Sequence, residues 1–256
     1  MANNINDNND FNGIDISSGR VDPLLDGLSN RIKRVNFNTF SSSDYATNEA
    51  YKSLRTNIFF CGADVKTIML TSCDENEGKS TISTELAKSL AEYGKRTLLI
   101  DADMRKSVML KKNSKGHDII GLSEILSGLA VSDDAIYRTQ DENFDVIFSG
   151  HFPPNPVELI GNGNFSKLLE NLKREYDYII IDTPPLGLVI DAAEIAAFCD
   201  GAIMIISNGK ISRSNASQVK NQLEKSGCRL LGAVLNETDR DRRIYKKYYY
   251  GRNEYR

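Results

Sequence analysis

Apolar positions in this chain follow two alternating rhythms. Six short runs are almost continuously apolar and rich in β-branched residues: "KTIMLTS", "RTLLIDAD", "FDVIFSG", "DYIIIDTPP", "GAIMIIS" and "RLLGAVLN". Between them lie stretches with apolar residues at helical spacing, such as "KSTISTELAKSLAEYG", "LSEILSG", "NFSKLLENLKREY", "VIDAAEIAAFC" and "ASQVKNQLEKSG". Strands that are apolar throughout, instead of at every second position, are buried on both faces. Their alternation with helices predicts an α/β fold, a mostly parallel β-sheet with helices on both faces. In such a sheet a ligand site lies at the C-terminal strand edge. Upstream, "NEAYKSLRTNIFF" places Tyr51, Leu54, Arg55 and Ile58 at helical spacing. Residues 1–44 are rich in Asn, Asp and Ser with short apolar islands, and read as an extended arm, partly ordered at most. The predicted organisation is therefore an arm (1–44), one α/β domain (45–239) and a short tail (240–256).

Charge sharpens the last boundary. The net charge is −3, yet residues 240–256 hold seven Lys/Arg and two Asp/Glu, which is +5 for the tail and −8 for everything before it. An acidic body argues against a nucleic-acid partner. The four cysteines, Cys61, Cys73, Cys199 and Cys228, form no CxxC pair. The beginning, "MANNINDNNDFNG", lacks the basic and apolar regions of a signal peptide, and no apolar run approaches the ~20 residues of a membrane span. The expectation is a cytoplasmic protein with reduced thiols, carried to any membrane by a partner.

The chemistry concentrates after three of the strands. "TSCDENEGKST" joins a strand to a helix, and its Gly78-Lys79-Ser80 matches the end of a phosphate-binding loop. Such a loop cradles phosphates with backbone N–H groups at a helix N-terminus, its Lys on the β/γ-phosphates and its hydroxyl on Mg²⁺. Cys73 stands at the first glycine position of that template. An ordinary strand-to-helix turn would also accommodate the lone GKS. Asp101 and Asp103 follow "LLI" and Asp182 follows "YIII". One such Asp is as readily a helix cap or turn residue. Three beside a phosphate loop are better explained as oxygen ligands of Mg²⁺ and its waters. The fold expected is thus P-loop NTPase-like. The loop residues Asp74, Glu75, Asn76, Glu77, Gly78, Lys79, Ser80 and Thr81, with Asn236 at the end of the last strand, are the candidate contacts for ATP or ADP. His117 and His151 lie in loop-like sequence, and neither is assigned a chemical role.

These motifs resemble those of the bacterial tyrosine kinases of capsule and exopolysaccharide synthesis, over about residues 48–256. "EGKST" is similar to their Walker A motif, "LLIDADMR" to their second Walker motif, and "IIIDTPP" to their Walker B. "GLSEILSG", "SGHFPPNPVELI", "DAAEIAAFCDG" and "LLGAVLNETD" follow in family order. Asn76 stands where the family usually has Gly. The resemblance implies MgATP as the phosphate donor. It implies Lys79 on the β/γ-oxygens, Ser80 and Asp103 ordering Mg²⁺, and Asp182 acting through metal-bound water. Asp101 is the candidate to accept or orient the tyrosine proton. Arg105 is left between a structural ion pair and catalysis.

The end of the chain, "YKKYYYGRNEYR", resembles the family's autophosphorylation cluster, with Tyr245, Tyr248, Tyr249, Tyr250 and Tyr255 as acceptors. Glu49, Lys52 and Arg55 stand at the positions of the family's E-x-x-R-x-x-R oligomerisation helix, implying a ring-forming homo-oligomer; a simple amphipathic cover for the sheet is the other reading. Lacking a membrane span, the chain resembles the split form, activated at the inner face of the plasma membrane by the cytosolic tail of a membrane-anchored, polysaccharide co-polymerase-type protein. Tyrosine-containing protein substrates and a protein-tyrosine phosphatase complete the implied partners. Two other functions share the same motifs. One is a partition- or division-site-type ATPase switch, which needs no tyrosine tail; the other is a degenerate nucleotide-binding scaffold.

Overall fold

The computed structural model describes residues 33–38, 45–114 and 118–238 of the chain. The tyrosine cluster, His117 and most of the predicted arm lie outside the described residues. Eight strands form one sheet in the order β1-β4-β5-β3-β6-β2-β7-β8. The strands are β1 (Lys33–Arg34), β2 (Thr67–Ser72), β3 (Thr97–Asp101), β4 (Tyr137–Arg138), β5 (Phe144–Ile147), β6 (Tyr178–Asp182), β7 (Gly201–Ser207) and β8 (Leu230–Asn236). All neighbours pair in parallel except β4 and β5, which are antiparallel.

Nine helices accompany them among the described residues: α1 (Tyr45–Phe59), α2 (Lys79–Glu92), α3 (Val108–Asn113), α4 (Leu122–Leu126), α5 (Ser132–Ala135), α6 (Pro156–Gly161), α7 (Asn164–Glu175), α8 (Asp191–Ala196) and α9 (Arg213–Lys225). Successive residues of a strand point to opposite faces, and the core accordingly divides in two. Met69, Leu98, Ile100, Ile179 and Ile181 pack on one face under α4, α6, α7, α8 and α9. Ile68, Leu70, Leu99, Ile180 and Ile203 pack on the other under α1, α2 and α3. Each fully buried Ile or Leu contributes roughly 1.5–3 kcal/mol, which is why apolar residues occupy both sets of positions.

Two consequences matter for the site. The chain passes from β2 to β3 in one direction across the sheet and from β6 to β7 in the other, leaving β2 and β6 side by side. Crevices open at such reversals, outside the carboxyl ends of the strands. Secondly, Lys33–Arg34, inside the predicted arm, joins the sheet as its edge strand beside β4. Phe37 then buries its ring against Phe144 and Phe148, with centroids at 5.6 and 6.1 Å. The side chain of Gln140 holds the Phe37 backbone at both its N–H and its carbonyl.

Candidate active site

β2 ends at Ser72, and the chain turns through residues 73–78 into α2. Two residues of this turn adopt left-handed backbone, Asn76 (φ 57°) and Gly78 (φ 89°). Asn is among the few non-glycine residues that visit this region readily. Gly78 has a second constraint: a Cβ there would lie 2.3 Å from Nδ2 of Asn236. Cys73 has no positive φ, so this position does not call for glycine. Its side chain is buried in the apolar core, and burial pushes its thiol up to about 11. Across from it, a Cβ on Gly187 would meet the Cys73 carbonyl at 2.0 Å. Helix α2 begins without a side-chain cap at Gly78. The first N–H groups of a helix lack intrahelical partners, and here they are left for an anion.

A cleft of about 210 Å³ opens over this turn, lined by Glu75, Asn76, Gly78, Lys79, Ser80, Thr81 and Asp103 together with Arg105, Lys106, Val108, Pro184, Pro185, Leu188 and Val189. Six of the nine predicted nucleotide contacts therefore face it. Asp74, Glu77 and Asn236 do not; their side chains brace the loop. The buried Glu77 carboxylate accepts from the backbone N–H of Asp74 (2.5 Å) and of Ser207 at the end of β7 (2.9 Å). Asn236 donates to the Glu77 carbonyl at 3.0 Å.

The carboxylates lie at the strand ends, as predicted. Asp101 and Asp182 are register partners across β3 and β6, and each is only 1% exposed. Burial and the neighbouring Asp182 charge hold the Asp101 carboxyl well above the ordinary range. Ser107 Oγ donates to one Asp101 oxygen and the Asp103 N–H to the other, the latter at 3.2 Å. Asp182 is pushed up to about 6 by burial, with Lys79 and the hydroxyls of Ser80 and Ser83 pulling the other way. Ser83 donates to it at 3.1 Å. Asp103 faces the cleft, while Asp101 lies behind it. No cluster of three or more His, Cys, Asp or Glu among the described residues is arranged to hold a metal alone. Mg²⁺ usually takes one or two carboxylates and completes its shell with phosphate and water. The donors here, Ser80, Asp103 and Asp182, are all hard oxygens and fit that pattern.

The structure supplies partners for two cations beside the cleft, and for Arg105 it shows the ion pair that was one of its two expected roles. Arg105 grips Asp191 at both carboxylate oxygens, 2.6 and 2.9 Å; it is an ion pair between the segment after β3 and the start of α8. Lys106 reaches the phosphate loop at Glu75, 2.6 Å away. Ser107 caps α3 by accepting from the Leu110 N–H at 2.8 Å. On α1, Glu49 and Lys52 pair with each other at 2.7 Å. Arg55 turns inward to the Ser89 carbonyl at 2.7 Å and lies 4.7 Å from the centre of the Tyr93 ring. The exposed His151 sits between Glu124 of α4 (2.9 Å) and Asp118 (3.0 Å), which raise its pKa.

Comparison with known proteins places this chain in a family. A family model described as an AAA domain matches residues 65–229. The tyrosine-protein kinase CpsD of Streptococcus agalactiae is 46% identical over 202 residues, covering 79% of this chain and 88% of that protein. The chain belongs to the bacterial tyrosine-protein kinases. The kinase domain of the Escherichia coli tyrosine kinase ETK superposes with a TM-score of 0.71 at 32% identity, over 74% of this chain and 75% of that one. The septum site-determining protein MinD of Pyrococcus horikoshii, solved with Mg-ADP, gives a TM-score of 0.59 at 27% identity, over 69% and 72% of the two chains. The kinase thus shares its mostly parallel sheet with nucleotide-binding proteins of a wider P-loop group. Among its described residues no helix is long and apolar enough to cross a membrane.

Proposed function

We propose that this kinase transfers the γ-phosphate of MgATP to tyrosines of other proteins and of its own C-terminal cluster, and that it thereby regulates capsule or exopolysaccharide synthesis and export. The observation that carries this reading is the convergence of Lys79, Ser80 and Asp103 on one cleft above the buried Asp182. Phosphoryl transfer calls for positioning and charge neutralisation more than covalent chemistry. Lys79 holds the β/γ-oxygens, and the open N–H groups of α2 receive the phosphates. Ser80 and Asp103 would hold Mg²⁺ directly, and Asp182 through water; the bound ion neutralises charge on the phosphate oxygens.

In the transfer, the phenol oxygen bonds to the γ-phosphorus as the bond to the ADP oxygen breaks. The phenol proton passes late in this step to Asp101, whose carboxylate must first release the Ser107 hydroxyl. In apo structures such contacts are often not yet formed.

Glu49, Lys52 and Arg55 of α1 are proposed to contribute to a ring-forming homo-oligomer, in which one protomer's basic tail is presented to its neighbour. Each phosphate adds about −1.5 to −2 charges, so a few modifications would reverse the tail's sign and favour release. Recruitment to the inner face of the plasma membrane is assigned to a membrane-anchored activator, and reversal to a protein-tyrosine phosphatase.

The experiment uses purified full-length protein, Mg²⁺ and γ-labelled ATP, with and without Tyr245, Tyr248, Tyr249, Tyr250 and Tyr255 changed to Phe. Label on tyrosine that falls in the Phe variant is expected. Free phosphate without labelled tyrosine would favour the ATPase switch instead. Loss of one aligned donor costs roughly 2.7–4 kcal/mol, so Lys79→Met is expected to lower phosphotyrosine by about 100-fold or more; near-wild-type labelling would sink the assignment of Lys79.

A further inference from the structure

The nucleotide cleft has two kinds of wall. Gly78, Lys79, Ser80 and Thr81 suit phosphates, but the lining also includes the apolar side chains of Val108 and Leu188. Those two side chains are 51% and 54% exposed, which leaves aliphatic surface in water beside a charged site. Phosphate oxygens gain nothing from such a surface. An aromatic ring does, and a phenol adds a polar tip that can point toward the carboxylate end of the cleft.

Both side chains are also held on fixed backbone. Val108 is the first residue of α3, directly after its Ser107 cap. Leu188 follows a tight turn in which the N–H groups of Leu188 and Val189 both donate to the Pro185 carbonyl at 3.1 Å. The Arg105–Asp191 pair joins the two segments, with Arg105 three residues before Val108 and Asp191 three residues after Leu188. The two apolar groups are therefore carried on a pinned frame around Asp103.

We propose that Val108 and Leu188 form the seat for the phenol ring of the acceptor tyrosine; this deepens, and rests on, the tyrosine-kinase reading above. The seat turns the acceptor hydroxyl toward the carboxylate end of the cleft and favours tyrosine over serine, which has no ring to place there.

The test is steady-state kinetics of the full-length kinase with a tyrosine-containing peptide, comparing Leu188→Ser and Val108→Ser with Leu188→Met. Removing an apolar contact from a binding pocket typically costs tenfold or more in discrimination. Each Ser variant is expected to raise the KM for the peptide by about tenfold. Its dissociation constant for a fluorescent ADP analogue should match that of the wild type. Leu188→Met should restore most of the peptide affinity. Because both side chains are more than half exposed, coincident thermal melts are expected and serve as the folding control. An unchanged peptide KM in both Ser variants would overturn the seat. Loss of ADP affinity with an unchanged peptide KM would place the nucleotide base on this wall and overturn it as well. A wild-type enzyme that hydrolyses ATP but labels no tyrosine would instead overturn the kinase reading, and the seat with it.

Discussion

At the scale of single residues, the phosphate loop shows which departures from a motif matter. Cys73 and Asn76 both differ from the glycines expected there, for different physical reasons. At Cys73 the backbone is not left-handed, so the side chain is free to join the apolar core, which it does. At Asn76 φ is 57°, and the residue type is one of the few that accepts this. A β-substituted residue without a short polar side chain costs roughly 1–2 kcal/mol in left-handed backbone. Asn76→Gly is therefore expected to keep nucleotide affinity within about twofold, whereas Asn76→Val should lose about 1–2 kcal/mol of stability, read from chemical denaturation. Equal stability of the Val variant would show that the turn can be rebuilt in another conformation. The position of this loop's candidate residues was legible because motif order alone places Lys79 and Ser80 at the helix start. What the order did not reveal was the division of labour, since nothing in the string distinguishes Glu75, which faces the cleft, from Glu77, which is buried under it.

At the scale of elements, the long strands were readable because both of their faces are buried, and the longer helices because their apolar positions repeat. The two-residue strands β1 and β4 are too short to carry a period. The short helices α3, α5 and α6 are likewise hidden; α3 is set by the Ser107 cap more than by an apolar face. The ion pairs that join elements were illegible for another reason. Arg105 and Asp191 are 86 residues apart, and only the fold brings them together. Burial decides how much each pair is worth. The Asp191 side chain is almost fully enclosed, so Arg105→Ala strands a buried carboxylate and should cost about 3 kcal/mol. Both partners of the Lys106–Glu75 pair face solvent, so Lys106→Ala should cost far less than Arg105→Ala. Replacing both members of the first pair by apolar residues (Arg105→Met with Asp191→Leu) should recover most of the loss. Urea denaturation of the three variants checks the order, and similar costs for Arg105→Ala and Lys106→Ala would contradict it.

At the scale of the whole molecule, the sheet places two buried carboxyls side by side at the edge where charge is needed. That arrangement opposes folding wherever both carboxyls are charged. Asp182 is pushed up to about 6, chiefly by burial, against about 3.9 in an unfolded chain. A carboxyl raised in this way contributes stability that is fully present below about pH 4 and is lost as the pH rises through about 6. The nucleotide-free kinase should therefore be penalised at neutral pH. Asp182→Asn removes the charge and keeps an acceptor for the Ser83 hydroxyl. The difference between the folded and unfolded carboxyl is worth about 3 kcal/mol, so at pH 7.5 the Asn variant should be up to about 3 kcal/mol more stable than the wild type. The gap should close toward pH 4, where both carry a neutral group. Adding Mg²⁺ and ADP should reverse the order, because only the wild type supplies the charge that a cation and its waters can use. Denaturation at pH 4 and 7.5, with and without MgADP, measures all four differences. An Asn variant less stable than the wild type at pH 7.5 without nucleotide would mean that Lys79, beside Asp182 in the fold, already compensates the buried charge.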